Sequence, residues 1–165
     1  MTNFEKLLSL NVNDKTEKRK QGSAELTYLS WSFAWAEFKK VYEDAFYEVV
    51  KNPQGLPYFH DDSGAMCYTK VTAGGITYEM WLPVMDGANK AMKKEAYEYD
   101  TKFGKKKVEA YTMFDINKTL MRCLVKNLAM FGLGLYIYSG DDLPEPNKEE
   151  LQNKALEDAL HIEEL

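Results

Sequence analysis

Lys118, Arg122 and Lys126 recur at i, i+4 and i+8. On a helix that spacing lays three cations in one row, at roughly 6 Å per step. The row has no acidic i,i+4 partners, so nothing in the helix neutralises it. Unneutralised cations in a line are chemistry for a polyanion backbone. Arg122 leads the set, because a guanidinium takes two phosphate oxygens at once. Short Val125 and Ala129 flank the row and leave room for a backbone to approach. The same pattern also suits a solvated surface face, and periodicity alone does not separate the two readings.

Other reactive residue types are sparse. No G-x-x-x-x-G-K-[ST] phosphate loop occurs, and Gly132 and Gly134 do not open a helix after a strand. Asp61-Asp62 and Asp141-Asp142 could hold Mg²⁺ as in a nuclease, yet each pair lacks a third carboxylate at useful spacing. The two cysteines, Cys67 and Cys123, and the two histidines lack the paired spacing of a Zn site. The cysteines suit a reducing cytoplasm. His60 reads as an ordinary surface residue. No catalytic residue, metal or cofactor is expected.

The elements that must position the row follow from pattern. Leu120, Leu124, Leu128 and Phe131 form an apolar face opposite the cations, so the helix packs on a core. Asp115 is expected as its N-cap, and Gly132 and Gly134 as its stop. Leu135–Tyr138 reads as a short strand, and Gly140–Pro144 as an acidic turn. Upstream, Ser30 caps a helix predicted to reach Glu43 or Ala45. Its Trp31 and Trp35 could stack on bases, but they share a stripe with aliphatic side chains and are read as core.

Phe46–Lys51, Met66–Ala73 and Ile76–Met85 read as three antiparallel strands, the last two joined by a Gly74-Gly75 turn. Tyr58, Phe59 and His60 lead into a turn at Asp61–Gly64. Cys67, Thr69 and Val71 face one way on the second strand, and Tyr68, Lys70 and Thr72 the other. Pro83 suits the end of pairing. Gly87–Lys94 is a connector, with room for a single helical turn. Tyr97–Tyr111 is a β-hairpin with Lys102, Lys105, Lys106 and Lys107 near its tip, either a solubilising tip or a finger that touches phosphates. Residues 1–24 read as a partly mobile N-terminal arm, 25–145 as the core, and 146–165 as an acidic helix and tail. Within that tail, Glu149–Leu160 is a predicted helix. The fold class is α+β: an antiparallel meander packed against a long helix, with a hairpin insertion.

Apolar residues make up 45% of the 165, enough for a real core. No apolar run approaches the ~18 residues of a membrane span, and MTNFEKLLSLNV lacks the pattern of a signal peptide. The net charge of −5 would argue against a nucleic-acid binder if it were spread evenly. It is not. Residues 1–86 carry −3, residues 87–140 carry +5 and residues 141–165 carry −7. A basic central block beside an acidic tail is the better guide to partners.

Three stretches, in order, carry a resemblance: YLSWSFAWAEF at 28–38, YEMWLPVMDGANKAM at 78–92, and DINKTLMRCLVKNLAMFGLGLYIYSGDDLP at 115–144. Together they resemble the Sak-like branch of the Rad-fifty-two-like single-strand DNA annealing proteins of phages, over roughly Tyr28–Glu145. Gly87-Ala88 departs from that pattern, where a more polar pair is expected. The resemblance implies single-stranded DNA binding and annealing in phage recombination, and assembly into a ring or filament. It places the chain in the cytoplasm of a bacterial host, with a host or phage single-strand binding protein as a further partner. Lacking a nucleotide site, such annealing would be ATP-independent. The DNA-binding residues expected are Lys118, Arg122 and Lys126 on the helix, Asn89 and Lys90 in the connector, Lys70 on the second strand, and Lys105, Lys106 and Lys107 on the hairpin. A non-annealing single-strand binding module, a metal-dependent nuclease and a structural or adaptor protein that meets no DNA are the rival functions.

Overall fold

The structure is a computed structural model and describes residues 1–21, 24–139 and 147–161. It is an α+β fold, as expected. The chain opens with helix α1 (Asn3–Leu8), whose N-terminus is closed by a capping box between Thr2 and Glu5. A 3-10 turn (Asn13–Lys15) leads into β1 (Thr16–Gln21), which pairs antiparallel with β2 (Ala24–Leu29). Helix α2 (Trp31–Val41) follows, then β3 (Phe46–Val49), β4 (Phe59–Asp61), β5 (Gly64–Ala73) and β6 (Ile76–Pro83). A separate hairpin, β7 (Tyr97–Thr101) and β8 (Gly104–Val108), precedes the long helix α3 (Met113–Ala129). After it come a 3-10 segment (Leu135–Tyr138) and helix α4 (Asn147–Leu160).

β5 is the centre of the main sheet. β6 runs along one side of it, from Ala73↔Ile76 to Met66↔Pro83. β3 and β4 share the other side, opposite Thr69–Thr72 and Gly64–Met66 respectively. β5 alternates strictly, with Ala65, Cys67, Thr69, Val71 and Ala73 all buried. Helix α3 lies on that face. The amide of Asn127 fastens it there, donating to the Thr69 carbonyl at 3.1 Å, the Thr69 hydroxyl at 3.2 Å and the Tyr78 carbonyl at 3.0 Å. The opposite face of the sheet leaves Phe46 and Trp81 exposed.

One core joins α1, α2, α3 and β5 through Leu7, Val12, Phe38, Val71, Leu124 and Leu128. A second lies where the hairpin meets the sheet and the start of α3, through Cys67, Val84, Val108, Ile116 and Leu120. Residues 1–24, read from the sequence as an arm, thus place Leu7 and Val12 fully inside the first core. Their polar run also contains β1, which shows no apolar alternation in TEKRKQ to betray a strand.

Three expectations are corrected. Asp115 is not the N-cap of α3. Thr112 is, and Asp115 sits one turn in, its carboxylate accepting from the Thr112 N–H at 2.8 Å and the Thr112 hydroxyl at 3.0 Å. Leu135–Tyr138 is a 3-10 segment and not a strand. The cause is the pair of glycines before it. Gly132 (φ +112°) and Gly134 (φ +65°) curl the chain back onto α1, so close that a Cβ on Gly132 would lie 2.6 Å from the Phe4 carbonyl oxygen. Tyr136 then reaches the N-terminal segment, its hydroxyl accepting from the Val12 N–H at 3.2 Å and donating to Asn13 Oδ1 at 2.5 Å. Finally, Phe59–Asp61 is strand β4, which the sequence reading passed over as the approach to a turn. The Gly140–Pro144 turn lies outside the described residues.

Candidate nucleic-acid interface

The first half of α3 forms one wall of a groove of about 500 Å³. The facing walls are Lys15 and Glu17, then Tyr28–Trp31 at the β2–α2 junction, and Met85–Gly87 after β6. Lys118 and Arg122 line it from the helix, and Lys15 from across it. The Arg122 guanidinium lies over the Tyr28 ring, 4.8 Å from its centroid. Stacking of that kind orients the planar fork and leaves its edge free for an anion.

Three acids, Glu17, Asp86 and Asp115, share the groove with the three cations, and hydrogen bonding leaves their charge in place. Asp115 is engaged by Thr112. Asp86 accepts from the N–H groups of Ala88 and Lys90, both at 2.9 Å. Both carboxylates are thus engaged by their own segments. Among the described residues, Lys118, Arg122 and Lys126 form no salt bridge. The row thus has no ion-pair partner among those residues, although Glu17, Asp86 and Asp115 share the groove with Lys118 and Arg122.

The structure sorts the expected DNA-binding residues into three places. Lys118 and Arg122 share the groove, while Lys126 is half-buried one turn further along and does not line it. Asn89 and Lys90 belong to a tight loop closed by Asp86 and a Met85–Ala91 bridge, where Asn89 adopts a left-handed conformation with φ +61°. No helical turn forms there. Lys90 leaves the loop to cover the Tyr99 ring on the hairpin, its ammonium 4.7 Å from the centroid. Lys106 is the cross-strand neighbour of that same Tyr99. Lys105 and Lys107 point to the hairpin's other face, opposite Asp100 and Glu98, and Lys107 also bridges Glu109 at 3.4 Å. Lys70 lies elsewhere, on the sheet face away from α3, between Glu48 and Glu79.

The sequence reading missed Lys15 and Tyr28, and it assigned Trp31 to the core. Trp31 is 47% exposed and lines the groove. Trp35 is the packed member of the pair, edge-on to Tyr47 and stacked on Phe38. The signal was present: the stretch beginning YLSW holds both Tyr28 and Trp31, and a tryptophan at the first helical position need not follow the buried stripe.

Residues that could do covalent or metal chemistry are differently placed. Cys67 and Cys123 are free, buried and close to each other, between β5 and α3. Burial pushes the Cys67 thiol up to about 12 and raises that of Cys123, so neither supplies a thiolate near neutral pH. Asp61 is held below the usual carboxylate range by hydrogen bonds from the Ser63 hydroxyl and N–H, which close a turn. Among the described residues no three His, Cys, Asp or Glu side chains gather as a metal site. Asp141-Asp142 lies outside those residues.

No curated protein matches this sequence. A family model does, over residues 2–164, nearly the whole chain. That family is described as the Sak single strand annealing proteins, and this chain belongs to it.

Proposed function

We propose that the groove binds the phosphate backbone of single-stranded DNA, and that the chain anneals complementary strands without ATP during phage homologous recombination. The observation that carries this reading is the company of Lys15, Lys118 and Arg122 in one groove, with the Arg122 guanidinium laid over the Tyr28 ring. Strand pairing is opposed by phosphate repulsion and by each strand folding on itself. A row of cations that grips the backbone relieves the first and leaves base edges open for a partner. Trp31 offers a ring on which a base can stack without sequence preference. No bond is made or broken, so the role is physical and not enzymatic. Lys126 extends the row beyond the groove, and Lys90 and Lys106 add cations beside it. The working form is a ring or filament in the bacterial cytoplasm, with a host or phage single-strand binding protein as the further partner.

The test mixes complementary oligonucleotides with the protein, without ATP, with and without Mg²⁺. Faster duplex formation in both conditions is expected. Slowed pairing with tight single-strand binding would instead mark a protective binding module, and shortened strands in Mg²⁺ would mark a nuclease.

A further inference from the structure

We propose that the β7–β8 hairpin continues the track of the single strand beyond the groove, with Phe103 stacking on an unpaired base while Lys90 and Lys106 hold the adjoining phosphate. This rests on the single-strand binding reading above and extends it to a second, aromatic contact.

The hairpin tip is built to present one ring. Phe103 is 85% exposed, with Phe114 at 83% the two most exposed large apolar side chains among the described residues. Its backbone is fixed: the Phe103 N–H donates to the Thr101 hydroxyl at 3.2 Å, and that hydroxyl donates to the Gly104 carbonyl at 2.7 Å. Gly104 turns the chain at φ +114°. The Lys102 ammonium lies 5.2 Å from the ring centroid. A bare phenyl ring on a hydrogen-bonded turn, beside the Lys102 ammonium, fits a flat, uncharged face attached to an anionic backbone. A nucleobase in a single strand has that chemistry.

The two faces of the hairpin differ in charge. On one, Lys105 and Lys107 meet Asp100 and Glu98 across the strands. On the other, Lys106 neighbours Tyr99, and Lys90 covers that ring from the preceding loop. Only the second face therefore offers cations without a facing carboxylate.

That face is joined to the groove. Asp86 lines the groove, its carboxylate accepts from the Lys90 N–H, and its own N–H donates to the Lys90 carbonyl at 2.9 Å. One closed loop thus has groove wall at its start and Lys90 at its end. The Val108 and Tyr97 end of this face is packed on the second core, so the strand's path runs over its exposed end, where Lys90 and Lys106 flank Tyr99 and Phe103 stands at the hairpin tip.

The experiment uses the full chain and a labelled oligodeoxythymidine, with affinity read by fluorescence anisotropy across a salt series and particle size by light scattering. Phe103→Leu keeps the apolar surface but removes the aromatic face, and is expected to weaken binding about tenfold at unchanged particle size. Phe103→Trp is expected to bind like the wild type. Lys106→Ala should flatten the slope of log K against log salt by about 0.7, and Lys105→Ala by less. Wild-type affinity in Phe103→Leu overturns the proposal. So does lost affinity accompanied by smaller particles, which would make the hairpin a contact between copies. If the wild-type chain does not bind the oligonucleotide at all, the functional reading itself fails. If it binds and anneals while Phe103→Leu matches it, only the hairpin track falls.

Discussion

Arg122 combines a charge with a shape. Its guanidinium rests on the Tyr28 ring while lining the groove beside Lys118. The two contributions separate by substitution. Arg122→Ala removes a phosphate contact and should flatten the salt slope of single-strand binding by about 0.7. Arg122→Lys keeps the charge but loses the flat stack and the bidentate fork. It should leave the slope near that of the wild type while weakening binding at every salt concentration. Anisotropy titrations of both variants check this, and two variants indistinguishable from wild type would reduce the row to a solvated face. The cysteines give a second residue-level expectation. With the Cys67 thiol near 12 in the fold against an ordinary value near 9, both thiols should resist alkylation at pH 8 until the chain unfolds. The sign on stability follows. The folded state keeps a proton that the unfolded chain releases near pH 9, so this contribution is intact below 9 and is lost as pH rises towards 12. Mass spectrometry after brief iodoacetamide treatment, native and denatured, reads the first. Urea melts between pH 8 and 10.5 read the second.

At the scale of elements, α3 is the part that must not move, since it presents Lys118 and Arg122. Asn127 clamps it to both β5 and β6. Its amide nitrogen is fully used, whereas its buried Oδ1 has no partner. Asn127→Leu should therefore destabilise the fold by about 1–3 kcal/mol, through the contacts that the Thr69 and Tyr78 oxygens lose. Asn127→Asp should be worse, because it buries a charge where the neighbours are acceptors. Urea denaturation ranks them, and equal midpoints for all three proteins would refute the clamp. This element also shows what the sequence made legible. A 3.6-residue period in Leu120, Leu124 and Leu128 revealed the helix and its buried face, and strict alternation revealed β5. The Gly74-Gly75 turn and the β7–β8 hairpin were legible for the same local reason. The groove was only half legible. Its helix wall follows from spacing, but Lys15 and Tyr28 are brought to it by pairing of β1 with β2, and β1, TEKRKQ, has no apolar alternation to betray it. Leu135–Tyr138 misled because LYIY has the composition of a strand, while the left-handed glycines before it, Gly132 and Gly134, make it curl.

For the whole molecule the question is length. The cations Lys118 and Lys126 are eight residues apart, so one chain offers a row of roughly 12 Å, enough for only a few nucleotides. Annealing that recognises complementarity must hold a longer strand, and one chain of 19.0 kDa cannot supply that surface even with the hairpin added. The ring or filament proposed above would supply it by repeating the groove from copy to copy, without new chemistry. The charge layout is compatible with this. Helix α4, within the acidic C-terminal block, packs on α1 and the Leu135–Tyr138 segment, with Leu156 and Ala159 buried. It is tied to structure beyond the C-terminal end of α3, whereas the groove lies along its first half. Deleting α4 would therefore expose core as well as remove charge, so neutralising the exposed Glu157 and Asp158 is the cleaner probe of the tail. Glu157→Gln with Asp158→Asn should leave the melting temperature within a few degrees of wild type. It should tighten single-strand binding only at low salt, since the Debye length is about 8 Å at physiological ionic strength. Assembly is the larger expectation. Light scattering at micromolar concentration should return a multiple of 19.0 kDa, and the number of nucleotides bound at saturation should rise in proportion to the number of copies. A single 19.0 kDa species, with and without oligonucleotide, would leave each groove alone with its three cations. Annealing by such a species would then need a pairing mechanism that does not depend on a continuous track.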